Sequence, residues 1–265
     1  MDMHTKTHAL PTEPDVQTRS FYLRSLAALD EAGVPYVVGG GYAMAYHTGI
    51  VRNTKDLDLF VTRLNRDWAL RVLREAGYRI EMTWPHFLCK ALHNDSFIDI
   101  LYDSANGLCP VDDEMIEHAK PAEILGRPVP LCPPEEMIWS KAYVMDRDRF
   151  DGADISHLIL ACGDEMDWNR LIRRFNRHEQ VLLAHLLLFD YSYPSERKQV
   201  PEWVVQELMR RVQHQPCADE KVCQGTFLAK NQYHYDVNHW GYADARLAQN
   251  GGPLTGEELK QFLST

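Results

Sequence analysis

Hydrophobic positions in the first half of the chain switch between helical spacing and strand alternation. Apolar residues at helical spacing predict a helix over 18–32 that ends at Gly33. A β-branched run over 35–38 and an alternating stretch over 54–61 predict two strands. The same criteria predict further helices over 67–76 and 112–119, and further strands over 78–84, 87–92, 97–101 and 126–131.

The second half of the chain carries helical spacing almost throughout. Predicted helices cover 135–145, 155–161, 168–175, 181–189 and 203–212, and a short closing helix follows Pro253. Helix and strand alternation followed by a strand meander favours a mixed sheet with packed helices. We therefore predict an α+β fold in three parts: a mobile tail over 1–15, a catalytic domain over 16–132, and a mainly helical C-terminal domain over 133–265.

Residues 37–61 combine a glycine turn with two carboxylates. Gly39 and Gly40, followed by Gly41, allow a sharp turn and a close backbone approach before a short helix. Asp56 and Asp58 alternate with leucines, so on a strand both carboxylates lie on one face. Such a pair favours a hard cation such as Mg²⁺, and backbone N–H groups at a helix start favour phosphate. The alternative for the carboxylates is the exposed polar face of an edge strand.

This stretch resembles the signature of DNA polymerase beta-type nucleotidyltransferases. Gly39-Gly40, a short helix and the Asp56-Leu57-Asp58-Leu59 segment match it, most closely in the form seen in bacterial antibiotic nucleotidyltransferases and abortive-infection toxins. The family needs a third carboxylate on a later strand, and Asp99 lies within the apolar run Phe97–Leu101. Gly41 and Tyr42 depart from the commonest pattern, in which a small residue follows the glycine pair.

The resemblance implies the chemistry and the residues that perform it. It implies transfer of a nucleoside monophosphate from a nucleoside triphosphate to an acceptor hydroxyl, with release of pyrophosphate. Two cations, Mg²⁺ or alternatively Mn²⁺, act in such an in-line displacement. The implied metal ligands and catalytic residues are Asp56, Asp58 and Asp99. The implied nucleotide contacts are Gly39, Gly40, Thr54 and, by its helix position, Lys141, for which a solvated lysine is the alternative.

Composition and net charge limit the range of acceptors expected for the protein. The chain has 265 residues and a net charge of −10, with no apolar run long enough to span a membrane. Its start lacks a secretory signal, so six scattered cysteines predict reduced thiols in the cytoplasm. Acidity favours a small cationic acceptor such as an antibiotic. The rival acceptors are a protein hydroxyl and tRNA, and tRNA would need a basic groove from Arg170, Arg173, Arg174 and Arg177.

Two further features leave alternatives open. The segment 217–246 is rich in aromatic, histidine and basic residues, which favours packing against the protein over base stacking or a zinc site. That zinc site would use His214, Cys217, Cys223 and His234 or His239. The charged run 147–154 favours a salt-bridged helix junction over a second metal site. A non-catalytic nucleotide-binding module that retains the fold is the alternative to an enzyme.

Overall fold

The computed structural model of the protein describes residues 14–247. These residues form two compact units. One comprises residues 14–105 and 109–133, and the other comprises residues 106–108 and 134–247. Most of the predicted N-terminal tail and the whole predicted closing helix lie outside the described residues.

The first unit is a mixed seven-stranded sheet with four helices, as the predicted α+β class requires. Its strand order is β3-β4-β5-β2-β1-β7-β6. The helices are α1 (Val16–Ala32), α2 (Gly40–Thr48), α3 (Arg66–Glu75) and α4 (Asp113–Glu117). The strands are β1 (Val37–Val38), β2 (Leu57–Phe60), β3 (Arg79–Trp84), β4 (Leu88–His93), β5 (Ser96–Leu101), β6 (Lys120–Ile124) and β7 (Arg127–Leu131).

Strand pairing brings distant carboxylates together in the middle of this sheet. β2 pairs with β1 in antiparallel register and with β5 in parallel register, which makes Asp58 the direct neighbour of Asp99. Leu57 and Leu59 are fully buried, so the opposite face of β2 is the one that presents Asp58. Hydrophobic burial thus fixes which way the carboxylate face points, since a slip of one residue would reverse it.

Local capping explains where the first helix begins and ends. The Asp15 carboxylate accepts hydrogen bonds from the backbone N–H groups of Gln17 and Thr18, and Gly33 closes α1 in a left-handed conformation at φ 73°. Asn65, by contrast, makes no side-chain cap to α3, although its type and position suggest one.

The second unit is mainly helical. It contains α5 (Pro134–Lys141), α6 (Gly152–Cys162), α7 (Trp168–Phe175), α8 (Glu179–Ser192), α9 (Glu202–Gln213) and α10 (His234–His239), with a small parallel pair of strands, β8 (Val222–Cys223) and β9 (Ala243–Asp244). Buried apolar residues of α6 to α9, including Leu158, Phe175, Leu186 and Leu208, form its core. Within residues 14–247, no helix has the length and apolarity needed to cross a bilayer.

Candidate active site

The turn between β1 and α2 lies directly against the Asp58 carboxylate. Gly40 adopts a φ of +54°, and a Cβ atom there would overlap that carboxylate and lie 2.9 Å from the Asp58 Cβ. Gly39 donates its backbone N–H to the Asp58 carbonyl oxygen at 2.9 Å. That amide is therefore used in pairing with β2, and contact of Gly39 and Gly40 with a nucleotide stays a prediction. Gly40 therefore allows the start of α2 to approach the Asp58 carboxylate closely, and the hydrogen bond of Gly39 holds the turn against β2.

Asp56 is the residue just before β2 and does not belong to the strand itself. The Thr54 hydroxyl donates to Asp56 Oδ1 at 3.1 Å, so the residue predicted to meet the nucleotide orients a carboxylate. Thr54 also lies close to Gly41, where a Cβ would come within 2.9 Å of the threonine Cβ. The loop before β2 is therefore held against the start of α2.

Two buried tyrosines, Tyr22 and Tyr42, lie near enough to these carboxylates to interact with them electrostatically, which the sequence did not predict. The pKa of Tyr42 is raised to about 12, mainly by burial and to a smaller extent by the negative charge of Asp56. The pKa of Tyr22 is also raised, chiefly by burial, with contributions from Tyr42, Asp56 and Asp58. Both phenols thus stay neutral beside the acidic pair. On their helices they look like ordinary apolar positions, so the sequence carries no signal of this role.

The third carboxylate, Asp99, is buried and paired with a lysine. The Lys90 ammonium donates to Asp99 Oδ1 at 2.6 Å from the directly opposite position on β4. Burial, the largest influence, raises the pKa of Asp99; the contact with Lys90 lowers it, and the charge of Asp56 raises it further. Asp56 is therefore close enough to act on Asp99 electrostatically. Lys90 was not among the residues singled out from the sequence.

The donor set of Asp56 and Asp58 fits a hard divalent cation. Carboxylate oxygens are the ligands that Mg²⁺ and Mn²⁺ prefer, and the tight approach of α2 fixes the position of one of them. Across residues 14–247, however, no three His, Cys, Asp or Glu side chains converge as a potential metal site. The chemistry of Asp56 and Asp58 thus suits a divalent cation, while ligation of metal by Asp56, Asp58 and Asp99 stays a prediction.

Lys141 belongs to the second unit, where it forms a buried ion-pair network. Its ammonium donates to Asp151 at 2.9 Å and to Asp154 at 2.8 Å. The charged run 147–154 is thus a salt-bridged helix junction. Asp151 precedes α6 but makes no side-chain cap to it, because its carboxylate is taken by Lys141 and Arg149. Contact of Lys141 with a triphosphate stays a prediction from the resemblance.

The basic groove expected for tRNA does not form from the four arginines named for it. Arg170 is buried and paired with Glu135 at 2.6 Å and with Glu136, and Arg174 pairs with Glu136 at 3.1 Å. Two of the four charges are therefore neutralised inside the second unit. Their partner carboxylates lie on α5, more than 30 residues earlier in the chain, so the spacing of the arginines alone does not reveal these pairs.

The aromatic segment 217–246 is more exposed than predicted. Tyr235 and Trp240 are 57% and 61% exposed and contact each other edge to face. Packing against the protein is therefore the wrong description for these two rings. Among the described residues of this segment, no zinc-type cluster forms. Lys221 lies over the Tyr242 ring at 5.8 Å, which gives the segment a local cation–π contact.

Comparison with known proteins places this geometry in a family. The model of the family described as "Uncharacterised nucleotidyltransferase" matches residues 19–189. No curated protein matches the chain. The fold is similar to that of the antibiotic-resistance factor ANT(2'')-Ia, with 23% identity, 65% of this chain and 98% of that chain covered, and a TM-score of 0.43.

Two further solved structures are similar at comparable distance. A nucleotidyltransferase-like protein from Paracoccidioides brasiliensis is 18% identical over 70% of this chain and 94% of its own, with a TM-score of 0.48. The lincosamide antibiotic adenylyltransferase LnuA is 20% identical over 56% of this chain and 97% of its own, with a TM-score of 0.38.

Proposed function

Because the chain belongs to the nucleotidyltransferase family whose model it matches over residues 19–189, we propose that it transfers a nucleoside monophosphate from a nucleoside triphosphate to an acceptor hydroxyl and releases pyrophosphate. The observation that carries this proposal is the contact between α2 and Asp58, which only glycine at position 40 allows. This approach fixes the position of one carboxylate of the proposed cation-binding pair.

Asp56 and Asp58 would hold Mg²⁺ or Mn²⁺ in this reaction. When bound, the cation neutralises the triphosphate and the departing pyrophosphate. Thr54 orients Asp56 through its hydroxyl, and the backbone of Gly40 limits where Asp58 can lie. These residues fix the direction of the donor oxygens before the nucleotide arrives.

Asp99 would act on the acceptor. It neighbours Asp58 across the parallel β2–β5 pair, so it lies next to the proposed cation ligands without needing to be one of them. As a carboxylate it takes the proton from the acceptor hydroxyl while that oxygen forms its bond to the α-phosphorus and the bond to pyrophosphate breaks.

The charge of the chain favours a small cationic acceptor, such as an antibiotic that carries amino groups. A net charge of −10 attracts cations and repels polyanions. The ion pairs of Arg170 and Arg174 with buried glutamates remove part of the basic surface that tRNA would require. A small molecule is therefore the preferred acceptor, while tRNA and a protein hydroxyl remain the rivals.

A nucleotide-transfer assay tests the proposal. The protein is incubated with Mg²⁺ and each α-labelled nucleoside triphosphate, together with aminoglycosides, lincosamides, total tRNA, or no added acceptor. Asp58→Asn is expected to lower transfer by more than about 100-fold, the upper end of what loss of an outer-shell partner of a metal causes. Asp95→Asn, in the exposed turn before β5, is the matched control and is expected to leave transfer unchanged.

The outcomes separate the proposal from its alternatives. Label on a small acceptor that disappears in Asp58→Asn supports the enzyme and identifies the acceptor class. Equal transfer by wild type and Asp58→Asn would refute the role of this carboxylate. Metal-dependent nucleotide binding without transfer to any acceptor would instead favour the non-catalytic module.

A further inference from the structure

The Lys90–Asp99 pair puts an ammonium group where the sequence predicts a second divalent cation. Resting on the function proposed above, we infer that the Lys90 ammonium takes the place of that second cation, so that the site binds one divalent cation through Asp56 and Asp58. Lys90 is then a positioning residue that acts through Asp99.

Strand register holds Lys90 in this position. β4 and β5 pair without a register shift from Leu88↔Leu101 to His93↔Ser96, which places Lys90 directly opposite Asp99. Directly opposite residues of antiparallel strands project on the same face with closely spaced Cβ atoms. The strand register alone therefore brings the Lys90 ammonium within reach of the Asp99 carboxylate.

A second contact fixes the ammonium from another side. The Nζ atom of Lys90 lies 3.9 Å from the centre of the Phe97 ring, two residues before Asp99 on the same strand face. A cation over an aromatic face is attracted by the ring electrons, and more strongly when water is excluded. The Lys90 and Asp99 side chains are only 20% and 13% exposed. Lys90 is thus enclosed between a carboxylate and a ring.

This enclosure conflicts with a divalent cation on Asp99. A metal bound there would lie beside a partly desolvated ammonium, and like charges at such distances repel strongly. Moving the lysine away would cost both its ion pair and its ring contact.

The lysine also serves the proposed role of Asp99 as the proton acceptor. Its hydrogen bond occupies Oδ1 and leaves Oδ2 as the oxygen that can face an acceptor hydroxyl. Lys90 would therefore orient Asp99, a task that a second metal would otherwise perform.

Counting bound metal tests the inference independently of activity. Mn²⁺ is titrated into the full chain with a non-hydrolysable α,β-methylene nucleoside triphosphate, and the bound ion is measured by electron paramagnetic resonance. Wild type is expected to bind one Mn²⁺ per chain. Lys90→Met, which keeps the length and removes the charge, is expected to bind two, with the spectral broadening of a coupled Mn²⁺ pair. The double variant Lys90→Met/Asp99→Asn is expected to return to one.

Controls make each result decisive. Lys120→Met on exposed β6 removes the same charge from the same unit and is expected to bind one Mn²⁺. Two Mn²⁺ in wild type, of which Asp99→Asn removes one, would overturn the inference, and so would a single Mn²⁺ in Lys90→Met. If Lys90→Met does not fold, the wild-type count together with Asp99→Asn still decides the question. Loss of the remaining Mn²⁺ in Asp58→Asn tests the proposed function separately.

Discussion

The contact between Gly40 and Asp58 permits a sharp mutational test. Gly40→Ala introduces backbone strain and a steric overlap, and the same substitution at another glycine separates these two effects. An alanine at a φ of +54° lies in the left-handed region, which costs an L-residue about 1–2 kcal/mol. Its Cβ would also overlap the Asp58 carboxylate, which must then move by about 1 Å or more. A displacement of about 1 Å at a reacting centre can lower the rate about 100-fold.

Gly33→Ala is the matched control. Gly33 closes α1 at a φ of +73°, and a Cβ there would meet no atom within 4 Å. It therefore carries the backbone strain without the collision. Gly33→Ala should lose about 1–2 kcal/mol of unfolding free energy in urea titrations, and Gly40→Ala should lose at least as much. Only Gly40→Ala should also lose Mn²⁺ affinity and about 100-fold in kcat/KM for nucleotide transfer.

The comparison can refute the reasoning in a specific way. If Gly40→Ala and Gly33→Ala lose stability equally while Mn²⁺ affinity and transfer remain at the wild-type level in both, then the approach of α2 to Asp58 has no role in the site. If Gly33→Ala loses transfer as strongly as Gly40→Ala, the effect is one of general stability and the carboxylate argument fails.

Two further predictions concern the helical unit. Arg170→Met leaves buried Glu135 without its ion-pair partner and should lower the unfolding free energy by about 3–5 kcal/mol. Arg210→Met, at an exposed pair, should change the urea midpoint little, and equal midpoints for the two variants would contradict this account. Burial lowers the pKa of His185, whose ring donates to the Ala142 carbonyl, so unfolding takes up a proton below about pH 6.5 and stability should fall as the pH decreases. His185→Gln should reduce this loss in urea titrations at pH 7.5 and 5.5, and an unchanged pH dependence would refute it.

Local patterns predicted the parts of the fold that depend on local forces. The predicted helix over 168–175 coincides with α7, where apolar spacing and the Asp167 cap agree. Strand β6 was missed because a stretch that contains Lys120, Pro121 and Glu123 has little strand propensity. It forms because β7 provides a partner for it. Propensity describes a segment alone, while strand pairing depends on what lies beside it.

For the candidate site, too, the local motifs could be predicted, whereas contacts from segments distant in the sequence could not. The glycine turn and the carboxylates at 56, 58 and 99 were visible as motifs, yet the electrostatic influence of the buried tyrosines near them was not. Lys90 was in fact accessible to sequence reasoning. A two-residue turn at Asn94-Asp95 pairs His93 with Ser96 and, counting outward, Lys90 with Asp99. By contrast, nothing local could reveal that Arg170 would be neutralised by glutamates on α5.

The shortness of strand β1 matters during translation, when one of its edges has no partner strand yet. One edge of β1 pairs with β2, but the other pairs only with Leu131 of β7, and Cys132 then donates its N–H to the Val38 carbonyl at 2.8 Å. At ribosomal speeds of about 5–20 residues per second, that edge remains open for roughly 5–20 s after Val38 is synthesised. Open strand edges recruit other chains, and the risk grows with their length. A strand of two residues therefore limits aggregation of the nascent chain until its last neighbour is synthesised.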